Sequence, residues 1–126
     1  MANQCAKTDL AGGKTAWIFW GLPAGVLILG ACVGRTWRTA LWTPAFLVMG
    51  AACVYNAAHC GRVHCYITGP LFLVAALATL LTGAGVALLG WGWIGFGVVI
   101  RTALAYVPER TRGKYVATAP AGSAAP

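Results

Sequence analysis

Four apolar runs, separated by short polar or glycine-rich segments, organise the chain. They cover residues 16–34, 39–58, 70–90 and 91–107. A helix needs about 20 mostly apolar residues to cross the hydrocarbon of a bilayer. The joined stretch of the last two runs is too long for one crossing, so we expect a hairpin that turns near Gly90–Trp93, where glycines permit a reversal. The pattern predicts an all-α, multi-pass membrane protein with four transmembrane helices.

This pattern divides the chain into an N-terminal segment, 1–15, a transmembrane domain, 16–107, and a tail, 108–126. The tail begins with basic residues and then turns rich in Ala and Pro, so we expect disorder after Tyr115. The letters LGAC at 29–32 also resemble a bacterial lipoprotein cleavage site, which would remove the first span. The long basic leader and the interrupted apolar run before it argue against that reading.

Composition supports the membrane assignment and excludes several classes of protein. Hydrophobic residues make up 60% of the chain and charged residues 9%, whereas soluble domains carry roughly 25% charged residues. The net charge of +7 would suggest a nucleic-acid partner in a soluble protein. Here the cations flank apolar runs, where they contact the headgroups of the lipid bilayer, so we expect no nucleic-acid partner. The only acids, Asp9 and Glu109, lie outside the apolar runs, which disfavours a carboxylate proton relay within the membrane.

The distribution of cations predicts the orientation of the spans. In a four-span arrangement, one side carries Lys7, Lys14, Arg62, Arg110, Arg112 and Lys114. The other side carries only Arg35 and Arg38. Since short cytoplasmic loops carry the excess of Lys and Arg, both termini and the Arg62 segment are expected in the cytoplasm. Richness in Ala and Gly suits a high-GC bacterium, and we expect the protein in the bacterial inner membrane.

The predicted loop between the second and third spans, residues 56–70, holds the most informative chemistry. It contains His59-Cys60 and His64-Cys65, which include both histidines of the chain and two of its five cysteines. Thiolate and imidazole are ligands of soft and borderline metals such as Zn²⁺ and Cu⁺. Cys5 lies in the N-terminal segment and is expected to be incidental.

Two further cysteines lie within the predicted spans and extend this pattern. Cys32 falls near the outer end of the first span and Cys53 within the second. If the second helix continues past Ala58, residues 53, 60 and 64 share one face. The candidate metal ligands are therefore Cys32, Cys53, His59, Cys60, His64 and Cys65.

Thiols distributed from one membrane face to the other suit the handoff of a soft cation. A divalent cation held by two thiolates is a neutral unit, which lowers the cost of moving it out of water. Mercuric ion is the extreme thiophilic case, and Cu⁺ is its nearest rival. We expect a carrier rather than an enzyme, with no tightly bound cofactor and no ATP hydrolysis, because the chain carries no nucleotide-binding motif.

With Cys32 in the first span and Cys60 and Cys65 in a cytoplasmic segment, the chain resembles the small mercury-resistance membrane transporters of bacteria. The resemblance implies import of mercuric ion and its delivery to a cytosolic mercuric reductase. The better-known transporters have two adjacent cysteines in the first span. Here Cys32 stands alone, and Cys53 from the neighbouring helix is the candidate for the second thiol.

An alternative interpretation is a membrane thiol oxidoreductase or a haem-binding redox subunit. His59 and His64 would ligate haem, and Cys60 and Cys65 would cycle between dithiol and disulfide. Their C-x4-C spacing departs from the C-x-x-C that such enzymes commonly use. Small residues four apart in the first run, such as Gly21 and Gly25, suit helix packing within one chain or in a homo-oligomer.

Overall fold

Four long helices carry the four apolar runs. The structure is a computed structural model that describes residues 5, 7–87, 89–113 and 115. The helices are α1 (Gly13–Ala31), α2 (Arg35–Cys60), α3 (Val63–Gly83) and α4 (Trp91–Arg112). The prediction of an all-α protein is confirmed for the described residues. The predicted disorder after Tyr115 and the cation Lys114 lie outside them.

Three of these helices are long and apolar enough to cross a membrane, namely α1, α2 and α3. Helix α4 has 22 residues, but Arg101 lies in its middle and its last turns read PERTR, so it is less apolar. The membrane assignment is therefore supported for three helices, and a crossing by α4 remains a prediction.

The segment 56–70, predicted as a loop, is helical except at a two-residue corner. Helix α2 ends at Cys60, and Gly61 adopts the left-handed conformation, with φ 60° and ψ 35°. Its N–H donates to the carbonyl of Ala57 at 3.1 Å, which is a common way for glycine to end a helix. Arg62 is extended and α3 starts at Val63. The loop prediction is thus corrected: one His-Cys doublet ends α2, and the other starts α3.

Each helix packs mainly against its neighbours in the chain, and the closest pair is α2 and α3. Gly50 on α2 permits this approach, because a Cβ there would lie 2.8 Å from Cδ2 of Leu73 on α3. The buried core lies along the contacts of α3 with α2 and α4. It includes Trp42, Phe46, Met49, Cys53, Cys65, Phe72, Ala75, Ala76, Ile94 and Val98.

A series of aromatic contacts runs through this core. Trp42 contacts Trp91 and Phe46 edge to face, with ring centroids 5.9 and 6.0 Å apart. Phe46 stacks on Phe72 at 6.2 Å, and Phe72 meets Trp20 of α1 at 5.7 Å. Such aromatic pairs stabilise packing beyond the area that they bury. The series leads toward the corner between α2 and α3, where the polar side chains gather.

Candidate thiol site

Two thiols from different helices meet inside the bundle, close to the corner. Cys53 lies on α2 and Cys65 on the first turn of α3, and both side chains are 0% exposed. The two thiols are neighbours in one cluster of buried side chains. The hydroxyl of Thr68 donates to Sγ of Cys53 at 3.3 Å. We call Cys53 and Cys65 the inner thiol pair.

An apolar groove of about 260 Å³ between α2 and α3 reaches Cys65 from the surface of the bundle. Its other lining residues are Val54, Ala57, Ala58, Tyr66 and Pro70. Because Cys65 is 0% exposed, an ion in the groove reaches the inner thiol pair only when α2 and α3 shift relative to each other.

His64 connects the inner thiol pair to the charged residues of the corner. Its Nε2 lies 3.4 Å from Sγ of Cys65, and its Nδ1 pairs with the carboxylate of Glu109 on α4. The ring stacks on Tyr106, with centroids 4.5 Å apart. Both ring nitrogens are therefore engaged, which leaves none available as a haem ligand without breaking one of these contacts.

Arg62 is the centre of a buried ion cluster that we define as Asp9, Arg62, His64 and Glu109. Its guanidinium pairs with Asp9 and lies 3.4 Å from Glu109. Burial lowers the pKa of Arg62, but the carboxylates of Asp9 and Glu109 outweigh it, and the pKa lies above its ordinary value. Asn56, which is fully buried, donates to Asp9 at 3.0 Å. The cluster fixes the corner by joining three separate parts of the chain.

This ion cluster could not be predicted from the spacing of residues, because both acids lie far from the cysteines along the chain. Asp9 is 53 residues from Arg62, and Glu109 is 45 residues from His64. The available signal was that the chain has only two acids. A buried arginine between two His-Cys doublets needs a counter-charge, and only these acids could supply it.

A second pair of cysteines lies at the end of α2. Sγ of Cys60 donates to the carbonyl of Cys5 at 3.8 Å, and Sγ of Cys5 donates to the carbonyl of His59 at 3.6 Å. The hydroxyl of Thr8 lies 3.8 Å from Sγ of Cys60. The hydrogen bond with the Cys60 thiol, followed by burial, raises the pKa of Cys5 above its ordinary value. We call Cys5 and Cys60 the outer thiol pair; Cys5 was expected to be incidental, and nothing in the sequence linked it to Cys60.

The structure therefore divides the six predicted ligands rather than gathering them. Cys53, His64 and Cys65 lie together, whereas Cys60 pairs with Cys5 instead of Cys65. Cys32 is exposed just beyond the end of α1. His59 is also exposed; it stacks on Tyr55 at 4.1 Å and its Nδ1 lies 3.0 Å from the Tyr55 carbonyl.

All five cysteines are free. Among the described residues, no group of three or more His, Cys, Asp or Glu side chains is arranged to hold a metal ion. Four of the cysteines thus lie in two pairs, and a pair of thiols suits a metal ion that binds two ligands.

Comparison of the chain with protein-family models, with curated proteins and with solved structures gives no match. A proposal of function therefore rests on the chemistry of the thiols and of the ion cluster.

Proposed function

We propose that this protein is a membrane carrier of a soft metal cation, mercuric ion foremost, with Cys53 and Cys65 as its intramembrane ligands. The observation that carries the proposal is the buried contact of these two thiols from different helices. A ligand pair built across a helix contact can open and close by small relative movements of the two helices. A carrier needs that freedom to take up and release its cargo.

The donor set favours a two-coordinate soft ion over other metals. Thiolates select soft ions such as Cu⁺ and Hg²⁺, whereas Mg²⁺ and Ca²⁺ prefer oxygen ligands. Structural Zn²⁺ takes four ligands in a tetrahedron, and the described residues hold no such group. Two thiolates alone match the linear coordination of Hg²⁺ and of Cu⁺.

Of Hg²⁺ and Cu⁺, charge favours Hg²⁺. Hg²⁺ with two thiolates is neutral, whereas Cu⁺ with two thiolates carries one negative charge. An unpaired charge in an apolar interior is costly, and Cys53 lies among buried apolar side chains of the core. Arg62 is the nearest buried cation of the corner, but Asp9 and Glu109 already balance it.

The proposed topology has four crossings, with both termini and the corner on the cytoplasmic side of the bacterial inner membrane. It rests on the six-to-two distribution of Lys and Arg described above. Cys32 then lies near the outer face, where it receives the ion, and the thiol pairs lie toward the cytoplasm. The resemblance to mercury-resistance transporters adds the expectation that a cytosolic mercuric reductase takes the ion. The driving force is binding to successive thiols rather than ATP hydrolysis.

Uptake of radioactive mercuric ion tests the proposal in cells that lack a mercuric reductase. Wild type should accumulate mercury and sensitise the cells, whereas Cys53→Ser/Cys65→Ser should reduce uptake to that of the empty vector. The matched control is Ala52→Ser/Ala76→Ser, which adds a buried hydroxyl to each of the same two helices and leaves the thiols intact. The side chains of Ala52 and Ala76 are 3% exposed or less. The control serines therefore place hydroxyl groups in buried positions, as the Cys→Ser changes do.

Equal membrane levels of the three proteins are checked by immunoblot. Uptake that persists in the cysteine variant would refute the proposal. Wild-type uptake equal to that of the empty vector would also refute mercury as the cargo. In that case the same strains, loaded with Cu⁺, test the rival ion, and the redox state of Cys53 and Cys65 tests the thiol oxidoreductase alternative.

A further inference from the structure

The N-terminal segment, residues 5 and 7–12, is held across the corner by Asp9. The Asp9 side chain is buried, and it pairs with Arg62 and accepts from Asn56. The N–H of Leu10 donates to Oδ1 of Asn56 at 3.1 Å, so the backbone of the segment is tied to α2 as well. The segment is therefore docked by specific polar contacts.

Because the segment is docked in this way, Cys5 lies beside the last turn of α2. The N–H of Asp9 donates to the carbonyl of Cys5 at 2.8 Å, which closes a helical turn between the two residues. That carbonyl also accepts from the Cys60 thiol, and the Cys5 thiol donates to the carbonyl of His59. Two thiols separated by 55 residues in sequence thus share one small region at the surface of the bundle.

The outer thiol pair lies on the same side of α2 as the inner one. Cys53, Asn56 and Cys60 are spaced by three and four residues, so they follow one face of the helix. Seven residues correspond to about 10.5 Å along the axis. A path down this face passes the inner pair, then the Asn56 amide, then the outer pair.

We propose that Cys5 and Cys60 form a second two-thiolate site for the same class of soft cation, the last protein ligands before the ion leaves for the cytoplasm. The role of Cys5 and Cys60 as the last ligands on a transport path rests on the proposed function. Their ability to bind a metal ion does not. Cys60 is 8% exposed and Cys5 is partly exposed. An acceptor thiol in solution can therefore reach the outer pair through Cys5, whereas it cannot reach the fully buried inner pair.

Transfer between the two pairs requires no redox step. Two metal–sulfur bonds to Cys53 and Cys65 break, and two bonds to Cys60 and Cys5 form. The protons that Cys5 and Cys60 release on binding replace the metal on the inner thiols, so charge is conserved. Because the pairs lie about 10.5 Å apart along the axis, each exchange requires a movement that brings an incoming thiolate to a metal already held by sulfur.

The stoichiometry of tightly bound mercury tests the second site in the purified full chain. Reduced protein in detergent is loaded with HgCl₂, equilibrated with a small excess of glutathione, desalted, and analysed for mercury per chain. Glutathione removes mercury from single thiols, whereas two thiols held side by side keep it through their high effective concentration. Wild type should retain two ions per chain, one for each pair of cysteines.

Cys5→Ser and Cys60→Ser should each retain one ion, and their double variant should also retain one. Cys32→Ser is the matched control and should retain two, because Cys32 has no thiol partner among the described residues. Cys5→Ala serves as a second variant at the same position, so that an effect of serine itself is recognised.

Retention of two ions by Cys5→Ser and Cys5→Ala would overturn the second site. A wild type that holds a single ion, lost only in Cys53→Ser/Cys65→Ser, would overturn it while leaving the proposed carrier intact. If Cys53→Ser/Cys65→Ser keeps one ion and transports nothing, both inferences stand. If it keeps one ion and still transports, the outer site stands and the proposed role of the inner pair fails.

Discussion

Replacing Asp9 with asparagine should release the N-terminal segment from the corner and expose the Cys60 thiol. In the native protein, one carboxylate oxygen of Asp9 pairs with Arg62, and the other accepts from Asn56 at 3.0 Å and from the N–H of Ala11 at 2.9 Å. Asparagine keeps one acceptor but turns an amide donor or a neutral oxygen toward the guanidinium. The ion pair is therefore lost while the size of the side chain stays the same.

The size of the effect follows from the burial of the pair. The Arg62 and Asp9 side chains are 12% and 4% exposed, so solvent screens their interaction little. A hydrogen bond to a charged group contributes about 1.5–3 kcal/mol, and Glu109 still contacts Arg62, which keeps the loss within that range. At about 1.5–3 kcal/mol, the open fraction of the segment rises roughly 10- to 150-fold.

Maleimide labelling of Cys60, quantified by peptide mass spectrometry, measures this opening. When opening and closing are fast compared with labelling, the rate follows the open fraction. Lys7→Gln is the control, because it removes an exposed charge from the same segment and should leave the rate within about twofold of wild type. Cys53 should stay unreactive in every variant.

A Cys60 rate in Asp9→Asn no higher than in Lys7→Gln would refute the assignment of Asp9 as the anchor. A parallel rise in Cys53 labelling would show that the whole bundle loosens, which would refute local release of the segment.

Two other predictions concern packing and thiol chemistry. Phe72→Ala should lower the free energy of unfolding in mixed micelles by about 2 kcal/mol, the cost of the cavity alone, since lipid is as apolar as the core. Phe96 is exposed, so Phe96→Ala should change this free energy little, and equal effects would contradict the assigned packing. Cys60→Ala should speed alkylation of Cys5 at about pH 8, because the Cys60 hydrogen bond raises the pKa of Cys5 and its loss increases the thiolate fraction. Cys53→Ala is the matched control, and an unchanged Cys5 rate in Cys60→Ala would contradict the contact between the outer thiols.

The helices could be predicted from the sequence, because long apolar runs leave few alternatives in a membrane. The start of α3 could not. We expected the third span to begin at Pro70, whereas the helix starts at Val63. Its first two turns carry His64 and Thr68, whose polar groups lower the hydropathy although both are buried. Hydropathy reports what a side chain would prefer in lipid, whereas these side chains pair with Glu109 and Cys53 inside the bundle.

The grouping of the cysteines was also beyond the sequence pattern. Spacing within one helix correctly suggested that residues 53 and 60 share a face, since that follows from helix geometry. Residue 64, expected on the same face, belongs to α3 because α2 ends at Cys60. Which residue lies opposite each one depends on how two helices and the N-terminal segment meet. The pairs Cys53–Cys65 and Cys5–Cys60 arise from those contacts, and the loop prediction had instead favoured Cys60 with Cys65.

The position of Arg62 has a consequence for the order in which the protein is made. Its counter-charges come from residues 9 and 109, and its backbone pairs with that of Tyr115. A growing chain therefore holds Arg62 with only one of its two carboxylate partners until α4 has emerged from the ribosome. Only then does the corner reach its final stability, because a bundle that lacks its last helix leaves both Arg62 and His64 without the carboxylate of Glu109.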